Sequence, residues 1–197
     1  VSTTANPLGY LKYTYTASEI QPDMLNADIT QTTDSPSWGG LYLQYFEKFD
    51  QVQQQKGILS VTKKLFIEKI GSDGKQELLP LGKEKLKTGD KVITRLTLSL
   101  KQDMDFLYLK DFRAACFEPI GQLSGNQWKF GTVYYEESKD AVTNFFFNSL
   151  AKGTYVLEYP VWVNQAGTYQ DGIATFQSMY APEYTAYSEA GKITVTK

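Results

Sequence analysis

The segment Lys91–Leu100, KVITRLTLSL, constrains the fold more than any other stretch of the chain. Val92, Thr94, Leu96, Leu98 and Leu100 share one parity, while Ile93, Arg95, Thr97 and Ser99 share the other. Successive side chains of a strand point to opposite faces, so this pattern predicts a strand with one buried and one wet face. A sheet with one apolar face has to bury it against a second layer. Similar short segments recur along the chain. YLKYTYT puts Tyr13 and Tyr15 on one face, and WGGLYLQYF sets Leu41 and Leu43 against Tyr42 and Gln44. ILSVTKKLFIEKI aligns Leu59, Val61, Lys63 and Leu65, with an irregularity expected near Lys63. FLYLKDF, GTVYYEES, AVTNFFFNSL, KGTYVLEYPVWV and KITVT follow, punctuated by the turn GSDGK, a hairpin-like Lys139–Asp140, and breaks at Gly167 and Gly172. Pro160 cannot donate a ladder hydrogen bond and predicts an edge or a bulge. Many short strands separated by turns predict an all-β fold, an antiparallel β-sandwich of fibronectin/Ig-like architecture. The one helix expected is short, around FDQVQQQK.

The composition shifts near Gln53–Gly57, from irregular turns such as TTDSPS to longer, more regular strands. This predicts a smaller N-terminal β segment over residues 1–56 and a sandwich domain over 57–197. Fifty-six residues are few for a separate core, so the first segment is expected to dock or to belong to a domain completed elsewhere. The chain starts at Val1 without a basic, apolar leader, so it is expected to be a processed protein or a piece of a longer one. No apolar run approaches the roughly 20 residues of a membrane-spanning helix.

A formal net charge of −2, with both signs mixed along the chain, gives no electrostatic case for nucleic acid or anionic lipid. Lys83, Lys85 and Lys87 read as a charged turn or edge that discourages sheet-to-sheet association. The 197 residues include no histidine, which excludes His-based acid–base catalysis and Ser–His or Cys–His nucleophiles, and argues against most zinc, copper and iron sites. One cysteine, Cys116, permits no internal disulfide, and its neighbours Ala114, Ala115 and Phe117 predict a small buried apolar side chain.

Few constellations remain for chemistry. Asp103 and Asp105 read as a polar turn entering a strand rather than a calcium loop, which brings more acids and a glycine at fixed spacing. Glu136 and Glu137 are adjacent, face opposite sides of a strand, and cannot pair as glycosidase acids. At least one of them is expected to be solvent-exposed. Trp38, Trp128, Trp162 and fourteen tyrosines could form a sugar-stacking strip, although core and interface packing is the more ordinary use of such rings. No catalytic, cofactor-binding or metal-binding residue is assigned.

Several motifs together resemble the C-terminal part of bacterial α2-macroglobulin family proteins. SWGGLYLQYFEKFDQV, with Trp38 and Gly39, resembles the return through a CUB-type β-module. LSVTKKLF and LKTGDKVITRLTLSLKQDMDFLYLKDFRAACFEP are similar to the opening of the last macroglobulin-like domain, its pattern falling on Asp111, Ala115, Phe117, Glu118 and Pro119. Gly153 and Tyr155 match an L-x-x-G-x-Y turn, and Met179, Tyr180, Pro182 and Glu183 match a closing M-Y-x-P-E. The resemblance implies a non-catalytic structural and interaction module of a bacterial protease trap, an endopeptidase inhibitor of the cell envelope (periplasmic or surface-anchored) or secreted. Its implied partners are neighbouring domains of the parent and, through the parent, target proteases. CFEP at Cys116–Pro119 has proline where the family's Cys-x-Glu-Gln thioester needs glutamine, so Cys116 is not the reactive cysteine. The alternative reading is a carbohydrate-binding or adhesion sandwich of a secreted bacterial protein.

The closing stretch, QSMYAPEYTAYSEAGKITVTK, is expected to cross one end of the sandwich. In that arrangement Met179, Tyr180 and Tyr184 cover the core, pairing stops near Pro182, and Lys192–Thr196 pairs near the domain's first strand.

Overall fold

The computed structural model describes residues 2–197 apart from 6–8, 27, 33, 83–84, 122 and 130. Lys83 of the lysine cluster therefore lies outside the described residues. The chain divides into two compact units, Val1–Tyr45 and Phe46–Lys197.

In the first unit, β1 (Ser2–Ala5) pairs antiparallel with β2 (Leu11–Thr14), and a 3₁₀ turn covers Pro22–Leu25. The strand expected in WGGLYLQYF is absent among the described residues. Trp38, Leu41, Tyr42 and Tyr45 are all well exposed there. A strand is stabilised by its ladder and its cross-strand pairs; this segment has neither, and Gly39–Gly40 raises the entropic cost of extending it.

The second unit is β throughout, apart from a 3₁₀ turn at Phe49–Gln51 where a short helix was expected. Its strands are β3 (Leu59–Ile70), β4 (Gln76–Pro80), β5 (Leu86–Lys87), β6 (Lys91–Leu100), β7 (Met104–Phe112), β8 (Phe117–Pro119) and β9 (Gly125–Lys129). The chain continues with β10 (Thr132–Ser138), β11 (Val142–Leu150), β12 (Gly153–Val163), β13 (Gly167–Asp171), β14 (Ala174–Ser178), β15 (Thr185–Tyr187) and β16 (Gly191–Thr196). One sheet has the order β4-β3-β6-β12-β8, a second β15-β14-β7-β11-β10-β9, and a third, smaller sheet β13-β16-β5. Among the described residues all strand pairings are antiparallel except β16 with β5.

The alternation read in KVITRLTLSL is realised in full: Val92, Thr94, Leu96, Leu98 and Leu100 are buried. β3 and β12 flank β6, adding Leu59, Val61, Leu65 and Ile67 on one side and Leu157, Tyr159, Val161 and Val163 on the other. The second sheet supplies Leu107, Leu109, Phe145, Phe147 and Phe176 to the same core. The two layers meet ring to ring, Phe145 of β11 lying 6.2 Å from Tyr159 of β12. Each of these fully buried side chains contributes about 1.5–3 kcal/mol relative to exposure.

The turns follow their chemistry. Gly71–Lys75 closes the β3–β4 hairpin, with Gly74 at φ +78°. Lys139 and Val142 exchange backbone hydrogen bonds in the β10–β11 hairpin. Before β6, Asp90 Oδ2 accepts from the Lys87 N–H at 2.7 Å, and Gly89 takes φ +92°. Pro160 stands opposite Ile93 of β6, while its carbonyl accepts from the Ile120 N–H at 3.2 Å on the other side. Its missing N–H therefore faces away from β6 and costs that ladder nothing; the edge or bulge expected from the sequence is not found, since β12 lies between β6 and β8 and its register with β6 is unbroken.

Three expectations are corrected. β3 runs through Lys63 without a break, in continuous register with β6. β16 pairs with β13 and β5 instead of the domain's first strand: both edges of the first strand, β3, are already taken by β4 and β6, and the short β5 before β6 joins β13 and β16 in a separate small sheet. The closing segment is a hairpin on the edge of the six-stranded sheet: β15 pairs with β14, and the turn Ala181–Tyr184 contains Pro182. Pairing does stop at Pro182, but Met179 and Tyr180 sit at the tip and remain exposed. Tyr184 alone of the three packs against the core.

Candidate functional site

The most unusual chemistry of the chain lies between the two large sheets. Lys63 has the parity of Leu59, Val61 and Leu65, so a regular β3 drives its side chain inward, where it is only 2% exposed. Asp111 has the parity of Leu107 and Leu109 on β7 and is fully buried. Asp171, the last residue of β13, arrives from the third sheet with 14% of its side chain exposed. Lys63 Nζ lies 2.9 Å from Asp111 Oδ1 and 2.9 Å from Asp171 Oδ1. It donates to the carbonyls of Phe112 at 2.7 Å and Gly172 at 2.9 Å. The two carboxylate oxygens have no hydrogen bond of good geometry, so their contact with Nζ is one of charge and proximity. Tyr159 donates its hydroxyl proton to Asp111 Oδ2 from the facing sheet.

The electrostatics follow from this burial. Burial favours the neutral amine of Lys63, but the charges of Asp111 and Asp171 outweigh it and hold the ammonium above its ordinary range. Burial raises Asp171 above the usual carboxylate range despite the Lys63 charge. Burial and the neighbouring Asp111 charge push the Tyr159 phenol well up. The backbone is drawn in as tightly as the side chains: a Cβ on Gly172 would lie 1.9 Å from the Phe112 carbonyl oxygen. A second buried cation, Arg113, donates to Thr143 Oγ1 and to the Lys139 and Asp140 carbonyls, bracing the β10–β11 hairpin.

Of the signature positions named from the resemblance, only Asp111 belongs to this centre. Phe117 is buried, and Glu118 and Pro119 carry β8 alongside Trp162 and Val161. Gly153 opens β12, and the Tyr155 hydroxyl donates to the Ala151 carbonyl at 3.0 Å across the preceding turn. Met179, Tyr180, Pro182 and Glu183 form the exposed hairpin tip, and Trp38 and Gly39 lie exposed in the first unit. Lys63, Asp171 and Tyr159 were not read as a site. The available signal was a lysine and an aspartate at apolar parity in β3 and β7. Asp171 and Tyr159 carry no such signal, because only the tertiary fold brings them near.

Other candidates resolve simply. Asp103 Oδ1 accepts from the Lys152 N–H at 2.7 Å, the polar-turn role expected of it. Among the described residues no group of three His, Cys, Asp or Glu side chains could hold a metal ion, and no helix is long and apolar enough to cross a membrane. Glu136 faces inward and is buried, while Glu137 points outward to Asn144 and Lys139. Cys116 is fully buried, and burial pushes its thiol up to about 11.

The outer face of the six-stranded sheet is aromatic. Tyr108, Phe146 and Tyr135 are successive cross-strand neighbours on β7, β11 and β10. Tyr108 and Phe146 stack with centroids 4.9 Å apart at 22°. Val133 and Trp128 extend the face as a directly opposed pair, Trp128 being 82% exposed. At the far end Tyr180 meets Phe106 edge-on at 5.2 Å, and Phe106 holds φ +51°, rare for an aromatic residue.

Comparison with known proteins places these observations. The family model described as the bacterial alpha-2-macroglobulin MG10 domain matches residues 59–183. The structure is similar to Salmonella alpha-2-macroglobulin reacted with methylamine, with TM-score 0.57 and 20% identity over 74% of this chain and 10% of that one. It is similar to trypsin-activated alpha-2-macroglobulin from Escherichia coli, with TM-score 0.56 and 17% identity over 74% and 11%. It also resembles the native E. coli protein spanning MG7 to the C-terminus, with TM-score 0.54 and 18% identity over 73% and 24%. The chain thus spans 10–24% of the length of these structures. No curated protein sequence matches it.

Proposed function

Because the chain belongs to the bacterial alpha-2-macroglobulin family, with its MG10 domain over residues 59–183, we propose that it acts as a non-catalytic packing and interaction module of a protease trap. The family match is the observation that carries this reading. The chemistry agrees with it: the chain has no histidine, its one cysteine is buried, and its most concentrated charges are sealed between two sheets. Residues 1–56 are read as part of a CUB-type β segment and 57–197 as the terminal macroglobulin-like domain. The signature positions Asp111, Phe117, Glu118, Pro119, Gly153 and Tyr155 act as structural elements of that domain. The parent would meet target proteases in the cell envelope or outside the cell, and this module would meet the parent's other domains.

The outer aromatic face of the six-stranded sheet suits such a neighbour. Interfaces between domains favour aromatic rings at their centre. A carbohydrate platform is less well supported. Trp128 and Trp162 belong to different sheets, and Tyr108 and Phe146 stack on each other rather than lie flat to receive a sugar ring.

The experiment is protease trapping by the full-length parent, with and without this region. Retention of trypsin or elastase by the intact parent, and its loss when residues 57–197 are removed, is the expected result. Undiminished trapping by the truncated parent, or no trapping by the intact one, refutes the assignment. Peptide or ester hydrolysis by the isolated chain would refute the non-catalytic part.

A further inference from the structure

The buried centre between the sheets holds an amine and two carboxylates in a shielded space, with their reacting groups already in contact. Lys63 Nζ is 2.9 Å from Asp111 Oδ1, and the Asp111 carbonyl carbon is one bond further on. The Oδ1 atoms of Asp111 and Asp171 have no aligned hydrogen bond, and the ammonium directs its donors at the Phe112 and Gly172 carbonyls. Asp111 Oδ2 is held by the Tyr159 hydroxyl, a donor placed where negative charge would build up if the carbon were attacked. Asp171 Oδ1 touches the same Nζ at 2.9 Å and is itself buried, while the Asp171 side chain as a whole is 14% exposed.

We propose that Lys63 and Asp111 condense into an intramolecular amide, with Asp171 as the proton relay, so that β3 of one sheet and β7 of the other are covalently joined. The step balances without an oxidant or an activated co-reactant. Lys63 passes an ammonium proton to Asp171, and the freed amine lone pair forms the C–N bond at Asp111 Cγ. The negative charge gathers on Oδ2 under the Tyr159 hydroxyl. Asp171 then returns its proton to Oδ1, the C–O bond breaks, and the nitrogen loses a second proton as one water departs. An ammonium and a carboxylate become an amide and a water, and Asp171 ends in its starting state.

Three physical features favour the reaction here over the same pair in water. Holding the amine and the carboxylate in contact replaces a bimolecular encounter with an effectively unimolecular step. Exclusion of water from the core removes a participant that would drive the equilibrium back toward hydrolysis. The product converts a buried ion pair, costly to desolvate, into a neutral amide. Burial also holds the Asp171 carboxyl above its ordinary range, which suits a group that must both take and return a proton.

The test is the intact mass of the 197-residue chain under denaturing conditions, followed by peptide mapping. The expected result is a mass about 18 Da below the sequence value, one water, together with a branched peptide joining Lys63 to Asp111. Lys63→Arg and Asp171→Asn are each expected to lack this loss. The wild-type measurement stands whether or not either variant folds, and circular dichroism of Asp171→Asn separates lost catalysis from lost fold. A wild-type chain at full mass after prolonged incubation overturns the proposal. So does a mass loss that survives in Lys63→Arg, or a branch found at Asp171 instead of Asp111.

Discussion

Gly172 offers the sharpest test of how tightly the sheets are drawn around the buried centre. A methyl group at this position would lie 1.9 Å from the Phe112 carbonyl oxygen, 2.2 Å from its carbon and 2.5 Å from its Cβ. Real Cβ contacts essentially never fall below 3.0 Å, and both the nearest atoms belong to backbone, so no side chain can swing aside. In Gly172→Ala, residues 112 and 172 must therefore part by more than an ångström. That movement pulls on the Phe112 N–H bond to Ile173 O at 3.2 Å and on both carbonyls that receive the Lys63 ammonium. Overpacking costs about 1–3 kcal/mol. Where Lys63 is still an ammonium, loss of one of its hydrogen bonds adds about 1.5–3 kcal/mol. A total of roughly 2.5–6 kcal/mol follows if both effects occur, and for a domain of this size each kcal/mol lowers Tm by about 2–4 °C. Urea and thermal unfolding of the purified chain read the change directly. Gly191→Ala is the control, since nothing lies within 4 Å of its Cβ position. It should be neutral or stabilise by up to about 1 kcal/mol by restricting the unfolded chain. A Gly172→Ala variant within about 0.5 kcal/mol of wild type would refute the close-approach reasoning.

Other predictions follow from burial and charge. Cys116 should resist alkylation by iodoacetamide at pH 8 in the folded chain and react on unfolding, because its thiol is fully buried and raised to about 11; rapid labelling of native protein would contradict this. Burial raises the Glu136 carboxyl above its ordinary 4.5 in the folded state, so its contribution to stability is intact below about that pH and is lost as pH rises through the higher folded value. Glu136→Gln should therefore stabilise the domain at pH 7 and lose that advantage at acid pH, as measured by urea midpoints across pH. Tyr184→Ala should cost about 2–4 kcal/mol, because this ring packs on the core, whereas Tyr180→Ala at the exposed hairpin tip should stay within about 1 kcal/mol. Equal losses in the two variants would reverse the roles assigned to the closing segment.

Local pattern carried the second unit. The parity of Val92 through Leu100 named its buried face, and the glycine and Lys139–Asp140 turns placed its hairpins, since strand periodicity and turn chemistry are encoded within a few residues. The first unit shows the limit of the same rule. Leu41, Tyr42 and Leu43 alternate like a strand, yet a strand also needs a partner, and local sequence does not supply one. The partner of β16 was likewise out of reach, because pairing with β13 and β5 depends on where the small sheet forms at the end of the sandwich.

The buried centre divides along the same line. Along the chain, Lys63 and Asp111 share parity with leucines, but the irregularity expected near Lys63 hid the consequence that a regular β3 turns its side chain inward. That the two face each other, that Asp171 enters from a third sheet, and that Tyr159 caps the far oxygen are consequences of tertiary packing. Parity is a property of one strand and can be read along the chain. The meeting of four side chains from β3, β7, β12 and β13 depends on how the sheets stack, and that is set by the packing of the whole core.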